Sequence, residues 1–182
     1  PFAQAMVSLI KCMVPEQGGD VADVVPGYED AEANTKAIKS LSYFLGSEMT
    51  GICEVPRYAW YTHRKNGTEI VPYNKYAIVM LIDQGYETME GASGDDYISG
   101  AQSMRAYMRG AEIAGIMGEL FRSLGYYSRS QTNADSEVLH VPVTLMAGLG
   151  ELSRIGEVIL NPFIGPRLKT VVLTTDIPLV PD

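Results

Sequence analysis

The chain has 182 residues, one domain's worth, with 14 basic and 22 acidic side chains and a formal net charge of −8. Hydrophobic residues make up 46% and charged residues 20%, a globular composition that excludes disorder along most of the chain. The basic residues are scattered, which excludes a general polyanion binder and leaves no nucleic acid partner to expect.

Residues 1–33 are poorly patterned, and Gly18-Gly19 and Pro26-Gly27 punctuate them, so a loop with short elements is expected up to residue 30. Residues 34–182 read as the core. From Asn34 to Gly46 apolar residues fall at 37, 38, 41, 44 and 45, which is helix spacing, with Asn34 as N-cap and Gly46 as the terminating glycine. Gly51 to Val55 is a short strand candidate, Tyr58, Trp60 and Tyr61 form an aromatic cluster, and Asn66-Gly67 signals a hairpin turn. Lys75 to Asp83 is apolar almost throughout and predicts a strand buried on both faces. Its longest apolar run, Tyr76 to Ile82, is far short of the roughly 20 residues a membrane helix needs.

Gly85 to Asp96 reads as loop. Ser99 to Leu124 is the clearest helix: Ser99 and Gln102 have capping-box spacing, and apolar residues follow at 104, 107, 111, 114, 117, 121 and 124 before Gly125 ends it. Tyr126 to Gln131 is expected to be extended and Thr132-Asn133-Ala134-Asp135 to turn. Val143 to Ala147 suggests a further helix, and Leu168 to Thr175 is a β-branched strand. Alternating helices and strands imply an α/β or α+β fold, a layered sheet with flanking helices.

Two cysteines, Cys12 and Cys53, make neither a CxxC pair nor a disulfide framework, and His63 and His140 stand far apart, so no metal site built by this chain alone is expected. Gly148-Leu149-Gly150 with Gly156 departs from dinucleotide-binding spacing. It fits a close helix contact or a backbone approached by a large flat ligand. Tyr107 lies on the apolar stripe of the long helix, either as a core tyrosine or as a phenol acid aimed into a pocket. Arg167, after Gly165-Pro166, reads as a structural ion pair or as the cation beside such a phenol. Asn133 is a turn-former or a pocket amide.

Taken in order, these segments resemble a known family. Tyr107…Ala114…Leu120-Phe121-Arg122-Ser123-Leu124-Gly125-Tyr126, Asn133, Pro142…Ala147-Gly148-Leu149-Gly150-Glu151-Leu152-Ser153-Arg154-Ile155-Gly156, Leu160-Asn161-Pro162-Phe163-Ile164-Gly165-Pro166-Arg167 and Thr174-Thr175-Asp176-Ile177-Pro178-Leu179 look like the corrinoid-binding core of the reductive dehalogenases. Tyr43-Phe44-Leu45-Gly46, Gly51-Ile52-Cys53 and Trp60-Tyr61 resemble it more loosely. The resemblance implies a nitroreductase-like layered fold holding a cobalamin-type corrinoid, and reductive removal of halogen from a small organohalide. By that resemblance Tyr107 is the proton donor, Arg167 the basic residue beside it and Asn133 a polar partner. His140, Gly148, Leu149, Gly150 and Glu151 contact the corrinoid, and Trp60, Tyr61 and Ser103 line the substrate pocket.

The resemblance also implies two 4Fe-4S clusters on cysteine-rich motifs after Asp182, a twin-arginine leader before Pro1, an electron donor, a membrane anchor subunit and a periplasmic location at the cytoplasmic membrane. Cys12 and Cys53 cannot ligate such clusters, so the chain is expected to be an interior piece, inactive alone. Alternatives are an epoxyqueuosine reductase-like corrinoid enzyme, a non-catalytic corrinoid-binding module and, by fold analogy, a flavin nitroreductase. The first is disfavoured because Glu151-Leu152-Ser153-Arg154 stands where its aromatic and lysine fall.

Overall fold

An apolar strand with no polar face must be covered on both sides, and three layers meet that demand here. The computed structural model describes residues 2–93 and 96–182. In chain order the elements are α1 (Phe2–Cys12), α2 (Ala31–Leu45), β1 (Met49–Glu54), β2 (Tyr76–Asp83), α3 (Tyr86–Gly91), α4 (Asp96–Ser123), β3 (Ser128–Gln131), α5 (His140–Met146), β4 (Glu151–Leu152), β5 (Ile159–Leu160) and β6 (Leu168–Thr175). Short 3₁₀ turns lie at Val14–Gln17 and Arg57–Ala59. One sheet has the order β1-β2-β6-β3 with every neighbour antiparallel, and β4 and β5 form a separate hairpin. The fold is therefore mixed helix and sheet, of the α+β kind.

Alternation along the strands builds two cores. Ile78, Met80 and Ile82 of β2 join Val171 and Leu173 of β6 against Ile113, Met117 and Phe121 of α4. Ala77, Val79 and Leu81 face the other way, with Val172, Trp60, Val143 of α5 and Leu149. Helix α4 docks closely because Gly110 sits over β6: a methyl added there would meet Val171 Cβ at 3.0 Å. Helix α5 lies still closer to β1, since a Cβ on Gly51 would collide with the Ala147 carbonyl oxygen. The last residues follow the free edge of β1. The Asp182 carboxylate accepts from the Ile52 N–H at 2.7 Å and pairs with Lys39.

Several boundaries differ from the sequence reading. The N-terminal segment holds an 11-residue helix, α1, packed on α4. Its apolar stripe is short, so periodicity alone does not mark it. Helix α2 is capped by Asp30, which accepts from the N–H groups of Glu32 and Ala33 at 3.0 Å. Asn34 is inside α2 and its amide ties Tyr28 O and Pro178 O. Gly46 does end α2, with φ 97°. Part of the expected loop at 85–96 is helix α3; Gly94 and Asp95 lie outside the described residues. Because α4 starts at Asp96, Ser99 lies within the helix rather than at its cap.

Two glycines test this packing in opposite directions. Gly51→Ala is expected to destabilise the protein by about 1–3 kcal/mol, because α5 must move off the sheet. Gly115→Ala, in the middle of α4 with open space beside it, is expected to stabilise by about 0.4–1 kcal/mol. Denaturant unfolding of the two variants measures both.

Candidate functional site

Strand β3 is short, and that creates the site. It pairs Ser128–Gln131 with Val172–Thr175 of β6 and then stops, while β2 pairs with the whole of Leu168–Thr175. The turn after β3, closed by Thr132 N–H donating to Asp135 O at 3.2 Å, carries the chain away from the sheet. Among the described residues no strand covers Leu168–Val171 on that side. A cavity of about 700 Å³ lies there, bordered by Leu168, Lys169 and Thr170 of β6, Asn133 of the turn, Tyr107 of α4 and His140 of α5. An open sheet edge lets side chains from both faces reach one space, which a continuous sheet would keep apart.

Lys169 and Tyr107 meet on the α4 face. Lys169 pairs in register with Ile82, so it projects toward α4, and its Nζ lies 5.0 Å from the centroid of the Tyr107 ring. His140 and Thr170 meet on the opposite face, with His140 Nδ1 and Thr170 Oγ1 3.0 Å apart. Burial lowers the His140 pKa to about 4, so the ring is neutral near pH 7. Tyr61 borders the cavity on the side of the Asn66-Gly67 hairpin, and Asn133 stands exposed at its mouth.

Other sequence candidates lie elsewhere. Arg167 does not border this cavity. Its guanidinium makes two hydrogen bonds to Asp83, at 2.7 and 2.9 Å, and lies over the Tyr86 ring at 5.7 Å, bordering a separate surface cleft. That bond holds the Asp83 carboxyl below its ordinary pKa and keeps Arg167 charged. The cation at Tyr107 is Lys169, which sequence reasoning missed. Trp60 is buried in the second core, edge-on to Tyr73 at 4.8 Å, and does not border the cavity. Ser103, one helical turn before Tyr107, accepts from the Gln84 amide at 3.2 Å and is outside the cavity wall too.

The glycine segment flanks the cavity rather than lining it. Leu149 is buried in the second core, and its carbonyl accepts from the Asn161 amide at 2.8 Å. Gly150 backs onto Leu160, and Glu151 begins the β4–β5 hairpin, exposed. Gly148, at φ 67°, is exposed with open space beyond its Cα, so its backbone can be approached by a flat ligand. Ser153 Oγ, in the same hairpin, is buried without a hydrogen-bond partner, while Glu157 and Val158 opposite it border the cavity. An amide-fringed macrocycle suits such a surface, since its amides can both donate to and accept from these groups. Among the described residues no group of His, Cys, Asp and Glu could hold a metal ion, and no helix is long and apolar enough to cross a membrane. The Cys53 thiol is buried and its pKa is pushed up to about 12, chiefly by burial, so it is inert.

No family model matches the chain. Among curated proteins, the tetrachloroethene reductive dehalogenases of Dehalobacter restrictus and Desulfitobacterium hafniense are 35% and 34% identical over 108 residues, which is 59% of this chain and 19% of theirs. Among solved structures, the catabolic reductive dehalogenase NpRdhA superposes with a TM-score of 0.93 and 55% identity, over 99% of this chain and 27% of its own. Over almost its whole length the chain is similar to a reductive dehalogenase. It spans about a fifth of the length of those curated relatives and about a quarter of NpRdhA. A selenomethionine-labelled epoxyqueuosine reductase superposes at a TM-score of 0.53 with 12% identity over 81% of this chain, a likeness of fold alone.

Neutral, enclosed His140 gives a pH signature. Its folded pKa lies below the ordinary 6.5, so the unfolded chain binds more protons between about pH 6.5 and 4. Its contribution to stability is therefore full above pH 6.5 and is lost as the pH falls through that window. The His140→Gln variant, which cannot titrate there, is expected to lose less stability than the parent between pH 7 and 4.5 in parallel thermal melts.

Proposed function

We propose that the chain is the corrinoid-binding and acid-bearing part of an enzyme that reductively removes halogen from an organohalide. The observation that carries this reading is the Tyr107–Lys169 pair at one cavity, in a chain 55% identical to NpRdhA over almost its whole length. One of the solved relatives is a reductive dehalogenase of B12-dependent mechanism, and another is a complex with 3-bromo-4-hydroxybenzoic acid. The first supports a corrinoid here and the second a halogenated aromatic substrate.

A bound corrinoid would supply the electron-rich metal that breaks the carbon–halogen bond. The net change takes up two electrons and one proton: carbon exchanges halogen for hydrogen, and halide leaves. The proton is what this chain provides. In our reading the Tyr107 hydroxyl gives it to the carbon that loses halogen. Charge then develops on the phenol oxygen, and the Lys169 ammonium beside the ring stabilises it. Neutral His140 adds no second positive charge to the wall. Asn133, at the mouth, is placed to hydrogen-bond a substrate polar group as it enters, and Tyr61 offers an aromatic face. Exposed Gly148 and the unpartnered Ser153 Oγ are the groups that would meet the corrinoid's flat face and its amides.

The same reading places two iron–sulfur clusters, an electron donor and a membrane anchor with the rest of the enzyme, and the enzyme on the periplasmic side of the membrane. Its test uses the complete polypeptide purified with its cofactor. The visible spectrum is expected to be that of a corrinoid. Tyr107→Phe is expected to lower halide release by about 10²-fold or more with corrinoid content unchanged. A flavin spectrum, or full turnover in the phenylalanine variant, would overturn the assignment.

A further inference from the structure

The segment that carries Lys169 is the least supported part of β6. Leu168–Val171 has the β2 ladder on one side and no strand on the other, among the described residues. A strand held along one edge keeps more freedom to twist than one held along both. One side-chain bond stands in for the missing ladder, between Thr170 Oγ1 and His140 Nδ1 at 3.0 Å.

The surrounding bonds are compatible with one direction, Thr170 donating to His140. Ser136 Oγ gives its one proton to the Val138 carbonyl at 2.8 Å and accepts from the Val138 N–H at 3.3 Å. With that proton so placed, it faces His140 Nε2, 3.3 Å away, as an acceptor. The Thr170 and Gln131 carbonyls also face the ring; in the tautomer that carries its proton on Nε2, Nδ1 is a lone pair that accepts the Thr170 hydroxyl. Burial keeps the ring neutral, so that acceptor persists at neutral pH. The ring is mounted on rigid structure, because His140 opens α5 and α5 is pressed onto β1 at Gly51. Thr170 and Lys169 are consecutive and point to opposite faces of the strand, so fixing one sets the direction of the other.

We infer that His140, acting through Thr170, is a positioning residue for Lys169 and holds its ammonium over the Tyr107 ring. The catalytic meaning of this rests on the function proposed above, but the geometric claim does not, and the two fail separately.

Carbon-13 methyl labels placed on lysine by reductive methylation test it in the complete polypeptide. Lys169→Arg assigns the Lys169 signal, and methyl groups over an aromatic ring resonate upfield of solvent-exposed ones. Thr170→Val and His140→Gln are expected to remove more than half of that upfield displacement. Thr170→Ser keeps the hydroxyl and His140→Asn keeps an acceptor near the place of Nδ1, so both are expected to preserve it. An unchanged displacement in a folded Thr170→Val or His140→Gln protein overturns the inference. So does equal loss in His140→Asn and His140→Gln, which would mean that only ring packing matters. The bond is tested from both ends, so if one variant fails to fold the other decides. A protein that binds no corrinoid yet shows this pattern would sink the proposed function and leave the positioning role intact.

Discussion

The site depends on a strand that ends early. Had β3 continued past Gln131 in register, Thr132, Asn133 and Asp135 would lie opposite Val171, Thr170 and Leu168, and the sheet would be closed. Instead the chain turns out at Thr132–Asp135, and the bared edge of β6 becomes one wall of a cavity. An exposed edge is usually a liability, because its unpaired backbone invites other strands. Here α5, the hairpin that precedes β2 and the β4–β5 hairpin border the space that the edge faces. The same edge brings together groups from both sheet faces: the phenol and ammonium from the α4 side, the imidazole and hydroxyl from the α5 side.

Rigidity follows from close helix packing on the two faces of the sheet. Gly110 lets α4 descend onto Val171, one residue from Thr170, and Gly51 lets α5 descend onto β1. The two helices that carry Tyr107 and His140 are thus fixed against opposite faces of the same sheet. Arg167 closes the arrangement from below: its two bonds to Asp83 join the residue before β6 to the last residue of β2. That ion pair is partly exposed, and its clearest role is to fix where β6 begins.

Much of the fold was legible. β2 and β6 are unbroken apolar or β-branched runs, α4 keeps helix spacing over many turns, and Gly46, Gly67 and Gly125 each adopt the positive φ that their turn requires. These signals are local, and local physics fixed them. Asp30 as a cap was passed over because Asn34 stood nearer the apolar stripe, and α1 because its support comes from α4 rather than from its own residues. The site was half legible. Tyr107, Asn133, His140 and Tyr61 were singled out and all border one cavity. Lys169 was read only as part of a strand, since the length of a partner strand decides whether an edge is bare and that length is written elsewhere in the chain. A lysine within a β-branched run was the signal available. Arg167 and Trp60 were given to the pocket, yet Asp83 claims the first and the second core buries the other.

The central claim is that the bared edge of β6 faces a corrinoid with Tyr107 directed at it. A crystal structure of the complete polypeptide purified with its cofactor tests that most directly. The account predicts density for a macrocycle against Gly148 and the β4–β5 hairpin, with the Tyr107 hydroxyl directed toward it and Lys169 beside the Tyr107 ring. A macrocycle seated on another surface, or a flavin in this cavity, would contradict it.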